Sequence, residues 1–113
     1  MDEQHARELL AQARARIEAA RADAAQRVED GDADPFEAAD AASDLFDAEL
    51  GEGRAERLRE ELEAIARAEA RLAEGAYGRS VESGEPIPDA RLEAIPWAER
   101  TAEEQSRYEA GRL

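Results

Sequence analysis

The chain has 113 residues, one histidine and no cysteine, and its 15 basic residues against 29 acidic ones give a net charge of −14. Disulfides and thiolate metal sites are excluded, and His5 is the only imidazole from which a nitrogen-ligated site could be built. Aromatic residues make up 4% and charged residues 39% of the chain, so the expectation is one domain-sized, elongated helical molecule with a thin core.

From Asp2 to Glu29 there is no glycine or proline, and Leu10, Ala13, Ile17, Ala20, Ala24 and Val28 recur at three- and four-residue steps. This predicts one amphipathic helix over about 2–29. A glycine and clustered acids at 30–35 predict a tip loop, and Asp34-Pro35-Phe36-Glu37 supplies a new start, with Asp as cap and Pro at the first helical position. The second helix is expected over about 36–74. Its stripe reads Phe36, Ala39, Ser43, Phe46 and Leu50, then Leu58, Leu62, Ile65 and Leu72, and Gly75 is a natural stop. Two long helices with a short connection should fold back as an antiparallel coiled-coil hairpin spanning residues 1–75. Gly51 and Gly53 interrupt the second helix, each costing about 1 kcal/mol relative to alanine, and a kink or weak point is expected there.

Residues 76–113 are expected to form a turn-rich knob and a C-terminal helix. Asp89 can cap a short helix through Leu92, which Pro96 ends, and Thr101 can cap a last helix through about Ala110. Val81, Ile87, Leu92, Ile95 and Trp97 are the expected small core, with Tyr77 and Tyr108 at its border.

The segment Gly75-Ala76-Tyr77-Gly78-Arg79-Ser80-Val81-Glu82-Ser83-Gly84-Glu85-Pro86-Ile87, followed by Arg91-Leu92-Glu93-Ala94-Ile95-Pro96-Trp97-Ala98, resembles the C-terminal finger of the DksA/TraR family of RNA polymerase-binding transcription regulators. The family pattern is approximately G-x-Y-G-x-C-x-x-C-G-x-x-I, then R-L-E-A-x-P-x-A, then C-x-x-C, with four cysteines holding zinc. The resemblance puts Ser80, Ser83, Thr101 and Glu104 at those four positions. Hydroxyls are poor zinc ligands at neutral pH and one carboxylate cannot hold the ion alone, so no structural zinc is expected. A structural zinc can supply on the order of 10 kcal/mol of folding free energy. Its expected substitute is packing around Trp97 and Ile87 with hydrogen bonds among Ser80, Ser83 and Thr101.

The resemblance also implies a function. Family members insert a coiled-coil tip carrying D-x-x-D-x-A into the secondary channel of RNA polymerase. Counted back from Ser80 without a gap, the tip residues are Glu37, Asp40 and Ala42, with Ser43 next. A rival register of Asp34, Glu37 and Ala39 needs a three-residue insertion, and the gapless one is preferred. Glu37 and Asp40 can equally stabilise the helix N-terminus. Many family members also respond to ppGpp through basic residues, but Ala64, Ile95 and Gln105 stand near those positions, so ppGpp binding is not carried over. Arg91 is retained and is read first as structural.

The residues also bear on other readings. Asp30, Asp32 and Asp34 have the spacing of a calcium loop, but Pro35 replaces its glycine and Ala41 its bidentate Glu. No nucleophile, base and orienting acid can be assembled, so an enzyme is not expected, and His5 is read as a solvated surface residue. The net charge opposes the phosphate backbone, which argues against direct nucleic-acid binding. Interleaved arginines argue against a DNA mimic. No stretch has the length of a membrane span and the acidic start is unlike a signal peptide, so the expectation is a cytoplasmic monomer. The runner-up function is an acidic hairpin adaptor for a different protein partner.

Overall fold

The computed structural model describes residues 1–29 and 41–112, with side-chain packing for 1–26 and 53–112. Four helices follow one another: α1 (Glu3–Glu29), α2 (Ala41–Glu74), α3 (Asp89–Ala94) and α4 (Ala102–Gly111). Among the described residues there is no strand, only an isolated antiparallel bridge between Arg79 and Pro86. The fold is mainly α: an antiparallel two-helix coiled-coil hairpin, a small finger-like knob and a C-terminal helix. α2 continues as one helix through Gly51 and Gly53.

The chain forms two compact units, one of Met1–Arg14 with Glu63–Leu113 and one of Ala15–Leu62. In the first unit Ala6, Leu10 and Ala13 of α1 and Ala64, Ile65, Ala68 and Leu72 of α2 are buried. Arg14 pairs with Glu69 in the last two turns of α2, whereas His5, nearer the start of α1, pairs with Glu93 beyond the end of α2. That order of partners is what antiparallel helices require. In the second unit Ile17 is buried, Leu58 and Leu62 are half-buried, and Arg59 pairs with Glu56 along α2. Ala20, expected on the buried stripe, is exposed, and Ala24 is half-buried. An alanine has too little apolar surface to hold a helix face inward when its neighbours Glu18 and Arg21 favour water.

The end of α2 is set by Gly75, whose φ of 77° an L side chain resists. Its N–H donates to the Leu72 carbonyl at 3.2 Å, and the N–H of Ala76 reaches back to Arg71 at 2.8 Å. These are the two bonds of a Schellman cap, and they turn the chain out of the helix into the knob.

The knob has its own small core of Ile87, Leu92 and Ala98, with Tyr77 and Ile95 packed against it. Gly78, at φ 87°, presents its carbonyl to the Ile87 N–H at 2.8 Å. The Tyr77 hydroxyl donates to the Pro96 carbonyl at 2.8 Å, and burial pushes the phenol pKa up. Two expected core residues are placed differently. Val81 is 48% exposed, because its backbone, not its side chain, faces inward: its N–H donates to Glu99 at 2.8 Å. Trp97 is only half-buried and stands outside the core cluster. Tyr108 is exposed, stacked under the guanidinium of Arg100 at 3.8 Å.

The helix starts differ in how they are capped. Pro88, not Asp89, is the N-cap of α3, with no side-chain cap, and Asp89 lies in the first turn, where its charge suits the helix dipole. The helix runs past Leu92 to Ala94 before Pro96 stops it. Thr101 caps α4 as its sequence suggests.

Leu10, Ile65 and Leu92 are the largest fully buried side chains, and a thin core concentrates stability in them. Ile65→Ala is expected to lower the free energy of unfolding by about 2–5 kcal/mol, and Val81→Ala to change it by less than about 0.5 kcal/mol. Urea denaturation followed by far-ultraviolet circular dichroism measures both.

Candidate functional site

Of the four positions matched to zinc ligands, Ser80 and Ser83 are hydrogen-bonded within one turn, and Thr101 and Glu104 are hydrogen-bonded to each other. Ser80 begins a tight turn: its N–H donates to Glu85 at 2.8 Å and its carbonyl accepts from Gly84 at 3.0 Å. Its hydroxyl oxygen accepts the N–H groups of Glu82 at 3.1 Å and Ser83 at 3.2 Å. The Ser83 hydroxyl accepts the Glu85 N–H at 3.2 Å. On the other side, Thr101 and Glu104 form a reciprocal capping box at the start of α4. The Thr101 N–H donates to the Glu104 carboxylate at 2.9 Å, and the Thr101 hydroxyl accepts the Glu104 N–H at 3.3 Å.

Glu104 is the buried acid of the set. It is 6% exposed, and the hydroxyls of Ser80, Ser83 and Thr101 favour its ionised form. The Ser80 hydroxyl above all, then the Thr101 N–H and the Ser83 hydroxyl, hold its pKa down to about 2 from 4.5, with burial opposing them. Sequence reasoning paired the three hydroxyls with one another and gave Glu104 no part. The signal was present, since Thr101-x-x-Glu104 is the capping-box pattern before a helix.

The residues present do not fit zinc. Three of the four side chains are hydroxyls, weak ligands for the ion. Their oxygens already accept backbone N–H groups. Among the described residues no group of three or more His, Cys, Asp or Glu side chains could hold a metal.

Charged pairs tie the knob to the helices of its unit. Arg67 of α2 donates to Glu99 at 2.7 Å. His5 meets Glu93 of α3 at 2.5 Å in an exposed pair, so it remains a surface residue and gains a partner that its place near the chain start did not indicate. Arg91 is structural: its Nε donates to the Arg100 carbonyl at 2.9 Å, steadying the segment that leads into the Thr101 cap. Near the positions where the resemblance implies basic residues, Ala64 is buried, Ile95 packs on the knob core and Gln105 donates to Glu109 at 3.0 Å. Of the expected tip residues, Glu37 and Asp40 lie outside the described residues, as do Asp34 and Ala39 of the rival register and Asp30 and Asp32 of the acidic loop. Ala42 and Ser43 fall within α2.

The depressed pKa of Glu104 makes a signed prediction. The folded knob favours the ionised carboxylate, so this contribution to stability is complete above the ordinary value of 4.5 and is lost as the pH falls from there through about 2. Titration of the Glu104 side-chain carboxyl carbon by NMR is expected to show a midpoint near the lower value; a midpoint near the ordinary one would contradict the geometry.

Comparison with known proteins agrees with the frame described. Residues 81–110 match the family model for the prokaryotic dksA/traR C4-type zinc finger. The RNA polymerase-binding transcription factor DksA of Caulobacter vibrioides, in each of two strains, is 42% identical over 71 residues, which is 63% of this chain and 50% of that protein. The chain thus spans about half the length of the curated relatives it matches. The structure of transcription factor DksA2 from Pseudomonas aeruginosa superposes with a TM-score of 0.70 at 28% identity, covering 97% of this chain and 84% of that one. By its finger sequence, its helical frame and these matches, the chain is similar to the DksA/TraR family, with no cysteine at the four positions where the family pattern places them.

Proposed function

We propose that this chain is an RNA polymerase-binding transcription regulator that inserts an acidic coiled-coil tip into the secondary channel and modulates initiation without binding DNA. The observation that carries the reading is the likeness to DksA2 over 97% of the chain, together with 42% identity to a relative named for binding RNA polymerase. The relatives are named as transcription factors, not enzymes.

The physical requirement is a stiff arm that presents a few carboxylates at a fixed distance from the knob. Glu37 and Asp40 are the proposed carboxylates, with Ala42 and Ser43 completing the tip surface. They would act on mobile elements near the polymerase catalytic centre through charge, with no bond chemistry of their own. A net charge of −14 favours a basic protein surface over nucleic acid. Among the described residues no helix is long and apolar enough to cross a membrane, and a cytoplasmic location follows from the proposed partner. Ala64, Ile95 and Gln105, with no positive charge among them, support action without ppGpp.

The test is binding of the purified protein to core RNA polymerase from its own host, with initiation assays, for wild type and for the Glu37→Ala/Asp40→Ala double variant. The wild type is expected to bind and to change initiation; the double variant is expected to bind and to be inert. Absence of binding at micromolar concentrations would overturn the proposal in favour of an adaptor for a different protein.

A further inference from the structure

We infer that the knob is a hinged body latched onto the two long helices of its unit by charged pairs. Gly75 is the pivot, and Arg67–Glu99 and His5–Glu93 are the latch, which ionic strength opens. The inference is independent of the polymerase reading.

The two apolar cores of this unit are separate. The buried apolar residues of the helices run from Ala6 to Ala13 and from Ala64 to Leu72. The knob core consists of Ile87, Leu92 and Ala98, with Tyr77 and Ile95 packed against it, and among the described residues it takes in no side chain of α1 or α2. Apolar burial is the dominant cohesive term in a fold. Here it holds each body together more than it holds one body to the other.

Charged pairs cross between them. Arg67 of α2 donates to Glu99 at 2.7 Å, and His5 of α1 meets Glu93 of α3 at 2.5 Å. The amino group of Met1 also lies 3.3 Å from Asp89. Met1 precedes His5 by one helical turn, as Asp89 precedes Glu93, so the start of α1 meets one face of α3 at two successive rungs. Arg67, His5 and Glu93 are about half exposed, and only Glu99 is largely covered. Pairs open to water are weak, and salt screens them. The chain passes from the helices into the knob once, at the end of α2, where Gly75 turns it with a φ of 77°. An element-terminal glycine is where a change of backbone angle meets least resistance. A body joined at one glycine and held by weak pairs can swing without unfolding. The latch is closed in the structure.

The experiment uses the full chain, whose lack of cysteine lets two nitroxide labels be placed without background. Ala11→Cys on α1 and Glu85→Cys on the knob are exposed positions within the unit, and pulsed electron spin resonance reads the distribution of distances between them. A narrow distribution is expected at low salt. Salt at about 1 M, where charges interact over only about 3 Å, is expected to broaden it. The His5→Ala/Arg67→Ala variant, which leaves the knob sequence intact, is expected to be broad already at low salt and to respond little to more. Amide exchange at Ile87, whose N–H bonds to Gly78, is expected to stay as slow as in wild type under both treatments, since the knob swings as a folded body. Should the variant fail to fold, the salt series on labelled wild type decides alone. A width that salt leaves unchanged, a folded variant as narrow as wild type, or loss of protection at Ile87 whenever the distribution broadens would each overturn the inference.

Discussion

The structure of the knob depends on one buried carboxylate and the donors that surround it. Ile87, Leu92 and Ala98 form a core of only three buried residues, too small to fix the arrangement of a turn, two short helices and an extended segment by itself. Glu104 supplies the missing constraint, since it must be hydrogen-bonded to remain charged and buried. The Thr101 N–H donates to it, and the Ser80 and Ser83 hydroxyls from the other side of the knob favour its charged form. The capping box places the carboxylate at the same time as it starts α4.

Position within the unit is then transmitted by charged pairs. Arg67–Glu99 and His5–Glu93 run from the two long helices to the knob, and Arg91 holds the backbone that enters the Thr101 cap. Individually, exposed pairs of this kind contribute little, on the order of 0–1 kcal/mol. Their value is geometric. They limit how the knob can lean on helices whose own contact is built from alanine, leucine and isoleucine.

Much of this was legible in the sequence because it is local. The three- and four-residue recurrence of Leu10, Ala13 and Ile17 describes α1, Gly75 marks the end of α2, and Thr101 marks the start of α4; each depends on neighbours within one turn. The finger frame was legible through its motif, even with every cysteine replaced. What sequence reasoning missed depends on tertiary geometry. Glu104 was discounted because it was considered as a zinc ligand and not as an acceptor for hydroxyls beside it in space. Val81 and Trp97 were assigned to the core on hydrophobicity, whereas the turn at Ser80 directs a backbone N–H inward at Val81, and the small knob closes over Ile87, Leu92 and Ala98 without Trp97. His5 found a partner 88 residues away, a pairing that no local pattern announces.

The most direct test of the central claim is a double-mutant cycle between Glu104→Gln and Ser80→Ala, measured as unfolding free energy at neutral pH in the presence of a chelator. If the carboxylate and the hydroxyl act as one cross-link, the two substitutions are strongly non-additive, with a coupling of about 0.5–3 kcal/mol. Additivity within about 0.3 kcal/mol would show that Glu104 and Ser80 stabilise the knob independently and would contradict the account.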